Sequence, residues 1–456
     1  MFYCLKTPRG CRYSSRIIRP RIAWLAALLG MALSQSFPAL ADGIAIKNSQ
    51  HAQGTFDTRL KDADVYEQDH EDTITLNSRL QLHEVLQQVV ALHPQQALLT
   101  AHQHMVQARR TMANSWVPQA PSVGFSHQND ALLSNRDERE WQAQVQIPIW
   151  LPGQKNARSQ VSSLADDSLM QDRAGLQQLA ADLLRNAVWE IALRRNDLEL
   201  YTRRYETFQG ISDDVKKRYR AGEVARLEVM QAEQEMLLVE RQGVTARAEL
   251  MHAQFRYQQL TGLQEMPARI EEPLSNRQDY LEAPFWLAAQ ARLKLAEGQR
   301  SLTMIEQRQN PQLTLSARTI QGGFDYAFNA SMGVAINIPL QSEVHRAPLL
   351  ANAEQNIGDA TSQLETLRRQ LDNTLHEAEH TLHVSRQELT LINRQHAIAQ
   401  ENAALARKAY RLGELDLNQL LRLQLLAFEA ERSLSSQQLQ VQWNIAKYNQ
   451  AVGVLP

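Results

Sequence analysis

Cysteine is nearly absent from this sequence of 456 residues, since its only two examples are Cys4 and Cys11. Acidic residues are absent from the first 21 positions, which carry six Lys or Arg and precede the apolar stretch from Ile22 to Leu33. This layout predicts a secretory signal over residues 1–41, cleaved after the small-x-small tripeptide that ends at Ala41. The mature chain would then have no thiol for a disulfide, a zinc thiolate or a lipid anchor.

Long apolar runs are also missing, because no later run approaches the 18 residues or more that indicate a transmembrane helix. A chain of this kind could cross a membrane only as a closed β-barrel.

Loss of the signal changes the formal net charge from −2 to −8, that is −2 − 6. A mildly acidic exported protein is a poor candidate for binding nucleic acid. Neither a phosphate-binding glycine loop nor a nucleophile elbow occurs, so the sequence predicts no catalytic residue, cofactor or resident metal.

Proline is absent between Pro152 and Pro267, and again between Pro348 and Pro456. Because an internal proline breaks or kinks a helix, these gaps permit very long helices. We predict helices over Gln154–Arg220 and roughly Glu343–Arg411, each about 100 Å long at 1.5 Å per residue. Shorter helices are predicted over 80–114 and 225–262, and end to end they match one long helix.

An internal repeat organises the chain. The sequence around Tyr257 recurs around Tyr448, and the two tyrosines are 191 residues apart (448 − 257). Tyr219-x-x-Gly-Glu and Tyr410-x-x-Gly-Glu have the same offset, and so do Pro148 and Pro339. The sequence therefore predicts a tandem duplication of one helix, strand, strand, long helix, shorter helix unit. The predicted segments are a signal (1–41), a polar leader (42–75), a first repeat (76–262), a linker (263–276) and a second repeat (277–456).

Strand patterns precede each long helix. The segment Trp141 to Ile147 alternates apolar and polar residues, as do the segments that begin at Leu313 and Phe328, and a further strand is predicted from Ser122 to His127. A soluble sheet with one buried face would show this pattern. A transmembrane barrel is favoured because the polar face is rich in amides and aromatic residues lie at the strand ends. Those aromatic residues are Trp141, Trp150, Tyr326 and Phe328.

Four strands cannot close a barrel, and open sheet edges are not tolerated in lipid. Several subunits must therefore contribute strands to one barrel, and three subunits would supply 12.

Four features occur together in this sequence: the signal, the duplication, the element Trp116-Val117-Pro118 and the two Tyr-x-x-Gly-Glu turns. As a set they resemble the outer-membrane factor family typified by TolC, over about residues 76–455. The resemblance implies an α+β fold and a homotrimer with a 12-stranded transmembrane β-barrel in outer-membrane lipid. A long periplasmic α-helical barrel would continue it.

The resemblance further implies a passive exit duct of a tripartite efflux pump rather than an enzyme. An inner-membrane pump of the resistance-nodulation-division type would deliver substrate through a periplasmic adaptor, a membrane fusion protein. The segment Asn310 to Leu313 resembles the heavy-metal cation branch, while small organic molecules or secreted polypeptides are alternative cargoes. The adaptor-contact residues would lie in the two turns: Tyr219, Gly222, Glu223, Tyr410, Gly413 and Glu414.

Family channels often narrow at a ring of acidic residues shortly after the second turn. Here Gln419 and Arg422 occupy those positions, and Asp416 is the nearest acidic residue. We therefore name Asp416, Gln419 and Arg422 as gate candidates.

One motif points to a different class of protein. His376-Glu377-Ala378-Glu379-His380 fits the H-E-x-x-H pattern of zinc metallopeptidases, and His383 follows on the same face. The equivalent positions of the first repeat are Arg185 and Trp189, so the motif is not part of the duplicated framework. A solvated helix face is the expected state of these histidines. A periplasmic coiled-coil adaptor or scaffold without a barrel is the other alternative, and heat-modifiable migration would separate it from a channel.

Overall fold

Two helices of 67 and 69 residues dominate the computed structural model. The model describes residues 73–132, 136–322, 325–340 and 343–456. These residues all fall within one of the two compact units of the chain, His70–Pro456. The predicted signal over 1–41 and the leader up to residue 72 lie outside the described residues.

Both halves of the chain have the predicted order of elements: helix, two strands, long helix, shorter helix. The fold is α+β and duplicated, as the sequence predicted. The elements are β1 (Thr75–Asn77), α1 (Leu82–Leu92), α2 (Gln95–Ala113), β2 (Ser122–Asn129), β3 (Arg139–Pro148), α3 (Gln154–Arg220), α4 (Arg226–Thr261), β4 (Glu265–Pro267), α5 (Pro284–Glu306), β5 (Gln312–Gly322), β6 (Asp325–Asn337), α6 (Glu343–Arg411) and α7 (Leu417–Ala451).

The first helical segment differs from the prediction of one helix over 80–114. It is divided into α1 and α2 at His93 and Pro94. The backbone of His93 is extended, with φ −67° and ψ 132°. Proline lacks an N–H and disfavours the helical conformation of the residue before it, so α1 ends where Pro94 begins a new helix.

Strands β2, β3, β5 and β6 form one antiparallel sheet in the order β2-β3-β5-β6. The register keeps the two faces distinct across all four strands. One row on the apolar face is Phe125, Ala143, Ala317 and Met332, and the adjacent row on the other face is Gly124, Gln144, Ser316 and Gly333. Within the described residues, the outer edges of β2 and β6 have no partner strand.

A second, two-stranded sheet was not predicted. Strands β1 and β4 pair in parallel over three residues each, and they join the start of the first repeat to the predicted linker. The Thr75 N–H donates to the Gln264 carbonyl at 3.0 Å. The buried Tyr257 hydroxyl donates to the Glu265 carbonyl, also at 3.0 Å, and so fixes β4 to the end of α4.

The helices pack as a row near the turns. Helix α4 packs against α3, α3 against α7, and α7 against α6, which gives the order α4-α3-α7-α6. A core at the turn end of this row contains Phe208, Val215, Val239 and Leu417. Helix α3 is buried along much of its length, whereas α6, at one end of the row, is exposed over most of its surface.

None of the helices in the described part of the chain has both the length and the apolar character needed to cross a bilayer.

Candidate functional site

The two turns that join each long helix to its shorter partner have the same structure. Gly222 and Gly413 adopt left-handed backbone conformations, with φ +82° and +78°. In the first turn the Glu223 N–H donates to the Arg218 carbonyl and the Gly222 N–H to the Tyr219 carbonyl, both at 3.0 Å. The second turn repeats both bonds from Glu414 and Gly413. This is the Schellman arrangement, in which glycine accepts a positive φ that other residues resist.

The tyrosines of the two turns have different environments. Tyr219 is 44% exposed, whereas Tyr410 is 6% exposed and burial raises its pKa. The Arg218 guanidinium lies 4.7 Å from the centre of the Tyr410 ring and 3.4 Å from the Asp214 carboxylate. Arg218 therefore joins the end of α3 to the end of α6, so the two turns are held together within one chain.

The gate candidates lie just beyond the second turn. Asp416 is the N-cap of α7, since its Oδ1 accepts the Gln419 N–H at 2.9 Å. This contact gives the carboxylate a structural role in starting the helix. The side chains of Gln419 and Arg422 are exposed. Their role as a gate stays a prediction.

The H-E-x-x-H motif lies on an exposed face of α6. His376, His380 and His383 are all exposed, and the rings of His376 and His380 are 4.8 Å apart. No group of three or more potential metal ligands is assembled in the described ranges of the chain. The side chain of Gln387 is 3.0 Å from Nε2 of His383.

Sequence reasoning missed the buried polar centre at the equivalent position of the first repeat. Arg185 is 2% exposed and makes a bidentate contact with Glu272, with Nε to Oε1 at 2.8 Å and Nη2 to Oε2 at 2.6 Å. It also donates to the Gln450 side chain and to the Val454 carbonyl. This network joins α3 to the linker and to the C-terminal end of α7. The only sequence signal was that Arg185 stands between the apolar pairs Leu183-Leu184 and Ala187-Val188 of the helix.

The apolar face of the four-stranded sheet is uncovered in the single chain. Phe125 is 82% exposed and Met332 is 92% exposed. A soluble sheet buries its apolar face against another layer, so an apolar sheet face without a covering layer indicates contact with an apolar environment. The opposite face is rich in amide and hydroxyl groups. Its charged residues Glu140 and Arg318 form an ion pair, with 2.6 Å between Oε1 and Nε.

Comparisons with known proteins identify the fold. No family model and no curated protein matches the sequence. The structure is similar to that of the outer-membrane protein VceC from Vibrio cholerae, with a TM-score of 0.64, 17% identity, and coverage of 82% of this chain and 96% of that one. The fold is that of the outer-membrane factors.

Two further structures share the outer-membrane factor fold. The outer-membrane channel CmeC from Campylobacter jejuni matches with a TM-score of 0.64 and 13% identity over 92% of this chain and 94% of that chain. The open state of the MtrE outer-membrane channel from Neisseria gonorrhoeae matches with a TM-score of 0.60 and 15% identity, over 82% and 89% respectively. The fold similarity to CmeC thus covers 92% of this chain.

Proposed function

We propose that this chain is the outer-membrane channel subunit of a tripartite efflux pump, a passive exit duct without catalytic activity. The observation that carries the proposal is the uncovered apolar face of the β2-β3-β5-β6 sheet, with its polar face opposite. The fold similarity to outer-membrane channels supports the same conclusion. The sheet would lie in outer-membrane lipid and the long helices would extend into the periplasm.

Three copies would complete the channel. The free edges of β2 and β6 suit pairing with neighbouring copies, because lipid does not tolerate unpaired strand edges. A ring of three sheets would have 12 strands, with the amide-rich face lining a wet interior. The long helices, roughly 100 Å at 1.5 Å per residue, would form the walls of a helical barrel below it.

The two turns are the proposed contacts for a periplasmic adaptor, itself linked to an inner-membrane pump of the resistance-nodulation-division type. Their supporting features are the shared Schellman geometry and their position at the ends of the long helices. The proposed contact residues remain Tyr219, Gly222, Glu223, Tyr410, Gly413 and Glu414. Asp416, Gln419 and Arg422 are the proposed gate.

The proposal also includes a class of substrate and a division of the chain into segments. Heavy-metal cations are the proposed substrate class, on the resemblance of the segment from Asn310 to Leu313. Small organic molecules and secreted polypeptides are the alternative cargoes. We also propose export by a signal over residues 1–41 and two channel repeats, 76–262 and 277–456, joined by the segment 263–276.

Membrane fractionation and native mass measurement test the proposal. The mature protein, extracted in detergent, is expected to come from the outer membrane as a trimer, to migrate differently with and without heating, and to conduct ions in a planar bilayer. A soluble periplasmic monomer would contradict the channel and favour a coiled-coil scaffold.

A further inference from the structure

Arg204 on α3 is a buried cation for which the described residues supply no ion pair. It is 6% exposed. Its Nη1 donates to the Gln242 side chain on α4 at 3.1 Å, but its buried Nε–H has no acceptor. Burial lowers the pKa of the guanidinium, and Glu235 and Glu429 offset only part of this effect through space. A buried charge normally has an opposite charge beside it, and Arg204 lacks that partner.

Arg432 on α7 is a second arginine of the α3–α7 interface, and it has the carboxylate that Arg204 lacks. Its guanidinium carbon lies 5.6 Å from the centre of the Tyr201 ring, and its Nε is 3.1 Å from the Asp197 carboxylate. Arg204 also lies over an aromatic ring, 4.6 Å from the centre of Phe428. A ring face attracts a cation, but it does not replace a carboxylate as the acceptor of the N–H groups.

Arg204 lines a cavity of about 220 Å³ between α3, α6 and α7. Arg203 of α3 and Arg407 of α6 line the same cavity, and the acidic residue of its described wall is Glu431 of α7. Glu431 already pairs with Arg203, at 3.1 Å. The other lining residues are neutral, so three guanidinium groups and one carboxylate give the wall a net charge of +2 (3 − 1). The cavity therefore attracts an anion.

The size of the cavity and the chemistry of its wall define the class of ligand. Its volume is below the roughly 300–1,000 Å³ of pockets for drug-sized molecules, and it exceeds the roughly 30 Å³ that one water molecule occupies in the liquid. A guanidinium group presents a planar fork of N–H donors that matches the oxygens of a phosphate or a carboxylate. The ligand that fits this cavity is therefore a small oxyanion.

We propose that the cavity between α3, α6 and α7 binds a small oxyanion, with Arg204 as its buried contact and the exposed Arg203 and Arg407 as its outer contacts. The anion supplies the missing acceptor for the Arg204 Nε–H and neutralises part of the positive charge of the wall. By contacting Arg204 and Arg407 together, it links α3 to α6 across α7. Inorganic phosphate and a small organic carboxylate share this chemistry. The site goes beyond the proposed channel function and does not depend on it.

Isothermal titration calorimetry of the mature protein in detergent measures the binding directly. Sodium phosphate at pH 7 is expected to give saturable binding at one site per chain, and sodium chloride at the same ionic strength is the reference. Arg204→Gln removes a charge-assisted contact, so it is expected to weaken phosphate binding by about tenfold or more. Sodium acetate is titrated in parallel, and the anion that binds more tightly distinguishes a phosphate site from a carboxylate site.

Two further variants complete the titration. Arg432→Gln alters an arginine of the same interface that does not line the cavity, so it is expected to leave phosphate affinity unchanged. Arg407→Gln alters an exposed side chain, so it tests the site even if Arg204→Gln fails to fold, and it is expected to weaken phosphate binding. Equal affinity in the wild type and in the Arg204 and Arg407 variants would overturn the site. So would the absence of saturable binding of both anions.

Thermal unfolding distinguishes a ligand site from an arginine with a structural role alone. A ligand stabilises only the protein that binds it, so phosphate is expected to raise the Tm of the wild type and of Arg432→Gln but not that of Arg204→Gln. If Arg204→Gln lowers the Tm equally with and without phosphate, the proposal is wrong. These measurements do not require a conducting channel. Failure of the anion site leaves the channel function standing, and a soluble monomer in fractionation contradicts the channel without removing the site.

Discussion

Arg185 is the polar side chain on which three parts of the chain converge. It holds Glu272 of the linker, Gln450 of α7 and the carbonyl of Val454 while itself remaining 2% exposed. A buried arginine of this kind does not destabilise the folded state while its carboxylate partner is present. Either charge alone would be buried without an opposite charge beside it.

We expect Arg185→Ala to lower the free energy of unfolding by about 3–5 kcal/mol, since it leaves Glu272 buried and unpaired. Thermal unfolding followed by far-UV circular dichroism measures the change. Arg194→Ala on the same helix is the matched control, because its contact with Glu249 is 3.7 Å long and exposed, and it should cost about 1 kcal/mol or less. Equal losses in the two variants would contradict a special role for Arg185.

Tyr257 should make stability sensitive to alkaline pH. Burial raises its pKa from 10.0 to about 12, so the folded state retains the phenol proton at pH values where the unfolded chain loses it. Its contribution is therefore complete below pH 10 and is lost as the pH rises toward 12. Melting temperatures should fall less steeply over this range in Tyr257→Phe than in the wild type. Parallel slopes would show that another group causes the loss.

Sequence reasoning at this scale found the turn residues but missed the buried polar centre inside the fold. The two Tyr-x-x-Gly-Glu turns are visible because glycine is placed where a helix reverses, and the structure has positive φ at both. The histidines around His376 form a recognisable motif and are exposed, as expected of a solvated helix face. Arg185 belongs to no motif, because its partners are 87 and 265 residues away along the chain.

At the scale of elements, the turn glycines give a prediction with an internal control. A Cβ added at Gly222 or Gly413 would meet nothing within 4 Å, so the cost of Gly→Ala there comes from the left-handed backbone alone. We expect each substitution to destabilise the protein by about 1 kcal/mol. Gly210 in α3 has equally open space, but it has a helical backbone. Gly210→Ala should therefore stabilise the protein by about 0.5–1 kcal/mol in the same unfolding assay. A loss at Gly210 similar to the loss at the turns would contradict the backbone explanation.

The long helices were predicted, whereas the break at Pro94 and the three-residue strands β1 and β4 were not. Helix α3 has the predicted bounds, Gln154–Arg220, because Pro152 and Gly153 precede it and Gly222 follows it. Pro94 indicates a helix break, but the apolar spacing on both sides of it favoured one continuous helix over 80–114. Strands β1 and β4 could not be inferred, because three-residue strands have no measurable periodicity and their pairing joins positions 190 residues apart (265 − 75).

At the scale of the whole molecule, Arg218 is expected to keep the ends of the long helices together. Its guanidinium lies over the Tyr410 ring and near Asp214, so it joins the α3–α4 turn to the α6–α7 turn. Arg218→Ala should loosen this link and raise the mean single-channel conductance in planar bilayers. Arg220→Ala, two residues away and exposed, is the matched control. Indistinguishable conductance distributions for the two variants would show that this contact does not restrict the channel.

Tandem duplication also changes the molecularity of assembly. A ring of six helical pairs made from separate repeats would require six bodies to meet, and each association costs several kcal/mol in translational and rotational freedom. Because the α3–α7 interface is already formed within one chain, the proposed ring needs only three bodies. Dilution can then separate the proposed ring only at the contacts between chains. The concentration at which trimers fall apart should therefore report on the contacts between chains, and not on the α3–α7 interface inside each chain.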